Sequence, residues 1–332
     1  MATTTIPPDQ LLIVDHEHDD DSCYGGDLES ETTSVTSSIY KFRVEHGRRY
    51  QNFRDPTAYY APNDDKANET LDIAHHSYLL MLEKKLHLAP IGKPQKVLDI
   101  GTGTGIWAID FADEHPQATI IGTDLSPTQP TWVPSNVSFI IDDCTEYPWT
   151  FADNSMDYIH VRDLFACIPD WSEFLAQCYK TTKPGGYVEV FNRAVWLQAD
   201  DGSIPDDKGH AYNIWSREFR GVGERLGKTT TIIETQKEEM EKAGFVDVTE
   251  KKLKMPLGPW ARDRNLKEVG KFYYLECLQG LEGWALTLLT RVMGWNVAEV
   301  QVLLAHFRAA MNDRSIHAYV PLSVVYGKKP VK

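Results

Sequence analysis

The sequence predicts an α/β fold built on a mostly parallel sheet covered on both faces. Two observations carry this. Between residues 97 and 191, short apolar runs alternate with stretches of helical periodicity, as in strand–helix–strand units whose strands are buried on both sides. Directly after the first apolar run comes a glycine-rich stretch, GTGTG at 101–105, at the strand-to-helix junction where open parallel sheets bind ligands. With 42% hydrophobic residues in 332, the chain can build a sizeable core.

Taken in order, residues 1–38 hold nine acidic residues and no Lys or Arg. They read as a disordered acidic tail, unable to bury enough surface to offset its ordering entropy; the short apolar patch Leu11–Val14 is plain disorder or a docking motif. Order is expected from about Ile39, and residues 39–96 form an N-terminal lid segment and helix. The spacing of Leu71, Ala74, Tyr78 and Leu82 predicts a helix over 68–88 with Asn68 as N-cap. The predicted core is a strand Val97–Ile100, a helix Ile106–Glu114 closed by Pro116, and strands Thr119–Thr123, Val137–Ile141 and Met156–Val161. A helix Trp171–Thr181 follows, with Asp170 and Glu173 spaced as a capping box. Then come a turn at Lys183–Gly186 and a strand Tyr187–Phe191. Beyond it, residues 194–228 are an insertion, helical around Tyr212–Leu226. A helix Thr235–Ala243, a strand Val246–Leu257, a largely helical segment within 258–313 and a last strand Ala318–Tyr326 complete the chain. Residues 97–330 are the main domain, and the two insertions, at about 194–228 and 258–313, form its cap. Asn296 and Glu299 are spaced as a second capping box.

Composition excludes several functions. The net charge is −14, of which the tail carries −9, leaving a nearly balanced body with no basic face for nucleic acid. Five scattered cysteines without a CxxC pair point to neither a disulfide framework nor a zinc site. No signal peptide and no apolar run of membrane-spanning length is evident, so the expected location is cytoplasmic or nuclear.

The glycine spacing narrows the ligand. A dinucleotide fingerprint wants G-x-G-x-x-G, whereas here the glycines run G-x-G-x-G and the third position of that fingerprint is Ile106. Asp99, two residues before Gly101, suits a ligand with an ammonium group and a sulfonium better than a pyrophosphate. S-adenosylmethionine has both. The predicted cofactor residues are Asp99, Gly101, Thr102, Gly103, Thr104 and Gly105 in the loop; Asp124 and Leu125 after the second strand, with Asp124 accepting the ribose hydroxyls; Asp142, Asp143 and Cys144 flanking adenine; and Arg162 at the rim. Methyl transfer needs a general base only where the acceptor is a poorly ionised hydroxyl or amine. His75, His76 and His160 are the candidates; adjacent His75 and His76 cannot both face one side of a helix, and His160 also reads as a core histidine. Arg48, Arg49 and Tyr50 either contact the ligands or pin the N-terminal segment. The aromatic-rich 258–313 segment, with Trp260, Phe272, Tyr273, Tyr274, Trp284 and Trp295, is either a hydrophobic acceptor site or a packed lid core.

The stretches VLDIGTGTGIWAIDFADEHP, IIGTDLSPTQPTWVPSNVSFIIDD, DYIHVRDLFACIPDW and KPGGYVEV resemble the fungal LaeA-like (UMTA-type) class I methyltransferases, as do HGRRYQNFRD, AGFVDV, GPWARD and RSIHAYVPLSVVYGKKP. The resemblance runs from about residue 39 to 330. It implies a Rossmann-like sheet of seven strands with the last antiparallel, and S-adenosylmethionine as cofactor. It places Asp99, Gly101, Gly103 and Gly105 at the methionine end, Asp124 at the ribose and Asp143 at the adenine. It also implies one of two roles: methylation of a small-molecule acceptor in secondary metabolism, or regulation through a velvet-type nuclear complex.

Overall fold

The computed structural model describes residues 42–51 and 59–331. The acidic tail, its Leu11–Val14 patch and the expected start of order near Ile39 lie outside them. A small antiparallel hairpin comes first, β1 (Arg43–Glu45) with β2 (Arg48–Tyr50), then α1 (Asp65–Met81). The alternation that follows is the predicted one: β3 (Lys96–Ile100), α2 (Ile106–Glu114), β4 (Thr119–Asp124), β5 (Val137–Ile141), β6 (Met156–Arg162), α3 (Trp171–Thr181) and β7 (Thr182–Arg193). After it come α4 (Ala211–Leu226), α5 (Gln236–Lys242), β8 (Val246–Pro256), α6 (Arg264–Thr287), α7 (Val297–Asn312) and β9 (Tyr319–Lys328).

Seven strands form one sheet in the order β5-β4-β3-β6-β7-β9-β8, with β3 to β7 mutually parallel and β9 antiparallel to both its neighbours. The order reverses between β3 and β4 on one side and β6 on the other, which opens a crevice at the carboxyl ends of these strands. Leu98, Ile100, Ile159 and Val188 are fully buried between the covering layers, which is why these strands read as continuous apolar runs.

Three local expectations need correction. The first helix begins at Asp65, with Asp64 rather than Asn68 as N-cap: the Asp64 side chain accepts from the Ala67 N–H and is itself clamped by Arg48 Nε and Nη2 at 2.6 and 2.8 Å. That helix ends at Met81 rather than 88. Glu83 and Lys84 sit at positive φ, and the buried carboxylate of Glu189 draws in the Leu88 and Ala89 N–H groups at 2.8 and 2.6 Å. Finally, Lys183–Gly186 is no free turn. It lies inside β7 as an irregularity between the Met156–Thr182 and Tyr158–Tyr187 pairs, with Gly185 at φ +85° and its N–H given to Lys329 O. Both capping-box spacings mark real helix starts. Asn296 and Glu299 form the full box, and Asp170 accepts from the Ser172 and Glu173 N–H groups.

Residues 257–318, between β8 and β9, carry α6 and α7, which pack with α4 and α1 into a helical cap over one face of the sheet. The cap is anchored where α6 meets the sheet: a Cβ on Gly270 would stand 2.0 Å from the Gly258 carbonyl oxygen, and Gly258 donates its N–H to Gly270 O at 3.1 Å. Gly270→Ala must push backbone apart, so we expect a loss of about 1–3 kcal/mol, read by thermal unfolding. A midpoint within 1 °C of wild type would show that the cap floats freely here.

Candidate functional site

The cavity at the crevice is built from four strand ends and one helix. Gly101–Thr104 and Ile106 from the loop after β3, Thr123–Leu125 at the end of β4, Asp142–Thr145 after β5, and Arg162–Leu164 and Cys167 after β6 line it, and Leu71, Ala74 and Tyr78 of α1 close it from above with Tyr59. The loop lies this close because no side chains stand in the way. Gly101 and Gly103 have φ of +69° and +59°, and a Cβ on Gly101 would fall 2.5 Å from Leu164 Cδ2.

Gly103 is held on both sides. Its N–H donates to Asp124 Oδ2 at 2.8 Å, while its carbonyl accepts from Thr128 Oγ1 and Gln129 Nε2 at 3.0 and 2.6 Å. Thr104 Oγ1 donates to Asp72 Oδ1 at 2.7 Å and ties the loop to α1. Asp124 takes a second N–H, from Ser126, on Oδ1 at 2.9 Å. Each of its oxygens therefore keeps lone-pair capacity toward the cavity. Burial pushes the Asp124 carboxyl up to about 6, against the pull of the Ser126 and Gly103 N–H groups.

Of the predicted cofactor residues, Gly101, Thr102, Gly103, Thr104, Asp124, Leu125, Asp142, Asp143, Cys144 and Arg162 all line this cavity. Two do not. Asp99 is buried behind the loop, with Oδ1 at 2.7 Å from His160 Nδ1 and Oδ2 accepting from Thr102 Oγ1 at 2.6 Å. Asp99 is not part of the cavity lining, and it braces the loop from below through Thr102. Gly105 is the N-cap of α2 at φ +81°, where an added Cβ would collide with the Phe139 ring.

None of the three histidines lines the cavity. His75 is buried on α1, with Nε2 at 2.9 Å from Asp110 Oδ2 and Nδ1 at 3.0 Å from Arg162 Nη1. Since Arg162 can only donate, Nδ1 accepts and Nε2 carries the proton. Burial and the Arg162 charge hold the imidazole neutral down to about 4. His75 is a bracket for Arg162. His76 is exposed and meets the edge of Phe272 at 4.3 Å. His160 is buried flat against Trp107, 3.8 Å apart and 5° from parallel, and burial lowers its pKa. Arg48 and Tyr50 pin the N-terminal segment, through Asp64 and through Thr287 Oγ1, which donates to Tyr50 Oη at 3.0 Å. Arg49 likewise grips Asn63 O at 2.7 Å. The cavity cysteines are poor nucleophiles, because burial pushes Cys167 to about 12 and Cys144 well above the usual thiol range.

Tyr59, Tyr78 and Asp163 also line the cavity, although none is among the predicted cofactor residues. Asp163 stands at φ +53° just after β6, accepts from Tyr78 Oη, and lies 3.5 Å from Arg193 Nε. A non-glycine residue in the left-handed region at a strand end is a strain signal, but φ is not legible in sequence. Asp163 also lines a second cavity beneath the cap, walled mostly by apolar and aromatic groups including Trp215, Phe219, Tyr273, Leu281, Phe307 and Val320. Tyr59 and Leu71 border both cavities. No helix among the described residues is long and apolar enough to cross a membrane.

A methyltransferase-domain family model matches residues 47–250. The methyltransferase pytC of Aspergillus terreus is 36% identical over 309 residues, covering 92% of this chain and 93% of that protein. The secondary metabolism regulator LAE1 of Cochliobolus heterostrophus is 31% identical, covering 86% and 94%. The protein-methionine methyltransferase laeA of Emericella nidulans is 28% identical, covering 90% and 79%. Over most of its length, then, the chain belongs to the methyltransferase family.

Proposed function

We propose that this protein transfers a methyl group from S-adenosylmethionine to a small-molecule acceptor of secondary metabolism. The observation that carries the reading is the second cavity: an apolar, aromatic-walled space under the cap that shares Tyr59, Leu71 and Asp163 with the glycine-loop cavity. A cofactor in one and an acceptor in the other meet at these residues. The first cavity suits the cofactor. Gly101–Thr104 present backbone where a side chain would collide, Asp124 offers lone pairs for vicinal hydroxyls, and Asp142, Asp143 and Cys144 form the far wall, where adenine belongs.

When bound, S-adenosylmethionine supplies a methyl carbon already activated by a positive sulfur. What remains for the protein is positioning and exclusion of water. Tyr59, Leu71, Ala74 and Tyr78 cover the cavity from above. Arg162 is oriented by His75, and His75 in turn by Asp110. In this reading the guanidinium holds the cofactor's carboxylate, and Asp163, at the shared border, faces the acceptor. Two relatives carry regulator or protein-methylating names. For this chain the alternative is a cofactor-binding regulator working through a velvet-type partner, and it predicts no need for an enclosed apolar cavity.

The test is calorimetric titration with S-adenosylmethionine beside Gly103→Asp. This substitution puts a side chain at φ +59°, where its Cβ meets Leu71 Cδ1 at 3.3 Å, and places a second carboxylate beside Asp124. Binding to wild type that is lost in the variant is expected; a folded wild type that does not bind overturns the assignment. The pH dependence is a further check. Asp124 is ionised above about 6, and its anion is the form that accepts hydroxyl donors. Affinity is therefore expected to be flat from pH 7 to 8 and to fall up to about tenfold per unit below 6. A flat profile down to pH 5 would remove Asp124 from cofactor binding.

A further inference from the structure

Where the two cavities meet, a small recess lies between α1, α6 and the N-terminal segment. It is bordered by Arg48, Tyr59, Arg193, Glu276, Gly283 and Trp284, and three of these, Tyr59, Arg193 and Trp284, also wall the cap cavity. Among the described residues, two buried polar atoms of its lining have no hydrogen-bond partner: Glu276 Oε2, an acceptor, and Arg48 Nη1, a donor. Both side chains are otherwise fixed. Glu276 is fully buried and its Oε1 accepts from Arg193 Nη1, while Arg48 is held by Asp64 through its other two nitrogens. Buried polar groups are nearly always satisfied, and leaving one unmet costs about 1–3 kcal/mol. An unmet acceptor and an unmet donor on two residues that border one recess call for a group that donates and accepts at once.

We propose that the cap cavity binds a flat apolar molecule bearing a hydroxyl, and that this hydroxyl enters the recess, donating to Glu276 Oε2 and accepting from Arg48 Nη1. This rests on the reading of the cap cavity as the acceptor site and names the class of molecule it takes. The walls select the flat body: Trp215 and Phe219 stack at 4.0 Å and 18°, and Trp284 stands at the recess with Arg193 5.2 Å above its ring. The charges select a donor, because Arg193 is flanked by two carboxylates, Glu276 and Asp163. An anionic head would meet this surplus of negative charge. Burial also raises the Glu276 carboxyl, opposed by Arg193.

The probes are 2-naphthol and 2-methoxynaphthalene, which share a flat body and differ in the hydroxyl proton. Each is titrated calorimetrically into the full-length protein, with S-adenosylhomocysteine titrated separately. Wild type is expected to bind 2-naphthol at least tenfold more tightly than its methyl ether, since a site built to pair a hydroxyl rejects the analogue without it. Glu276→Gln keeps the shape, but with its oxygen on Arg193 it turns an NH2 toward the recess. The preference is then expected to shrink to about threefold or less, with S-adenosylhomocysteine affinity unchanged as proof of folding. Equal binding of the two probes to wild type, binding of neither, or an undiminished preference in the variant overturns the proposal; in each case the recess holds water only. Loss of S-adenosylhomocysteine binding in wild type with the naphthol preference intact would sink the cofactor assignment and leave this one standing.

Discussion

Asp124→Ala is expected to weaken S-adenosylmethionine binding more than a hundredfold. Its carboxylate does two jobs at once: it offers lone pairs to the cavity, and it holds the Gly103 and Ser126 N–H groups on either side of the loop. Removing it deletes charge-assisted hydrogen bonds worth roughly 1.5–3 kcal/mol each and releases Gly103 toward solvent. A loss of about 3–4 kcal/mol in binding corresponds to a factor of several hundred. Asp124→Asn separates the contributions. It keeps one acceptor oxygen and cannot titrate, so its loss should be nearer tenfold, and the fall in affinity below pH 6 should vanish. Equilibrium titration across pH 5–8 for the three proteins reads both effects. An Asn variant that keeps the wild-type pH profile would assign the titration to another group.

The second large effect falls on stability. Gly105→Ala is expected to cost about 2–4 kcal/mol. Residue 105 sits at φ +81°, where an L side chain alone costs roughly 1–2 kcal/mol. Its new Cβ would stand 2.4 Å from Phe139 Cζ, so the ring must move as well. The ring is hemmed in on its other side: a Cβ on Gly122 would come within 2.7 Å of it, so two glycines on neighbouring segments form the notch that receives Phe139. The two terms can be separated. Phe139→Leu in the Gly105→Ala background should recover the collision but not the backbone strain, giving a coupling energy of about 1 kcal/mol or more. Thermal or urea unfolding measures it. A single Gly105→Ala change that costs less than 0.5 kcal/mol would show that the loop relaxes at will.

Much of this molecule was legible from local signals. Helices α2 and α3 and strand β5 begin and end where periodicity and caps put them, because each is decided by its own residues: Asp170 at an N-cap, Pro116 past a helix end, a bounded apolar run. The parallel sheet and the loop's residues at the cavity followed from the same patterns. What failed depended on partners distant in sequence. Asp64 outcompetes Asn68 as a cap because Arg48, sixteen residues earlier, clamps it. Lys183–Gly186 joins a strand because Lys329 pairs with it. Asp99, which its place before Gly101 and its charge suggest for the ligand, is buried off the cavity lining against His160 and Thr102. The junction of Asp163, Arg193 and Glu276 joins residues from three separate stretches of the chain, and no periodicity links them.

The attachment of the cap has an evolutionary corollary. Pro256 and Tyr319 are paired residues on adjacent antiparallel strands, so the whole of 257–318 leaves and re-enters the sheet at one point. Its ends are brought together by the β8–β9 ladder whatever lies between them, and the entropy of closing such an excursion grows only logarithmically with its length. Segments of other lengths and shapes can therefore be exchanged there without re-registering a single strand. Selectivity can drift at this graft point while the nucleoside end of the crevice, on strands at the opposite edge, stays as it is.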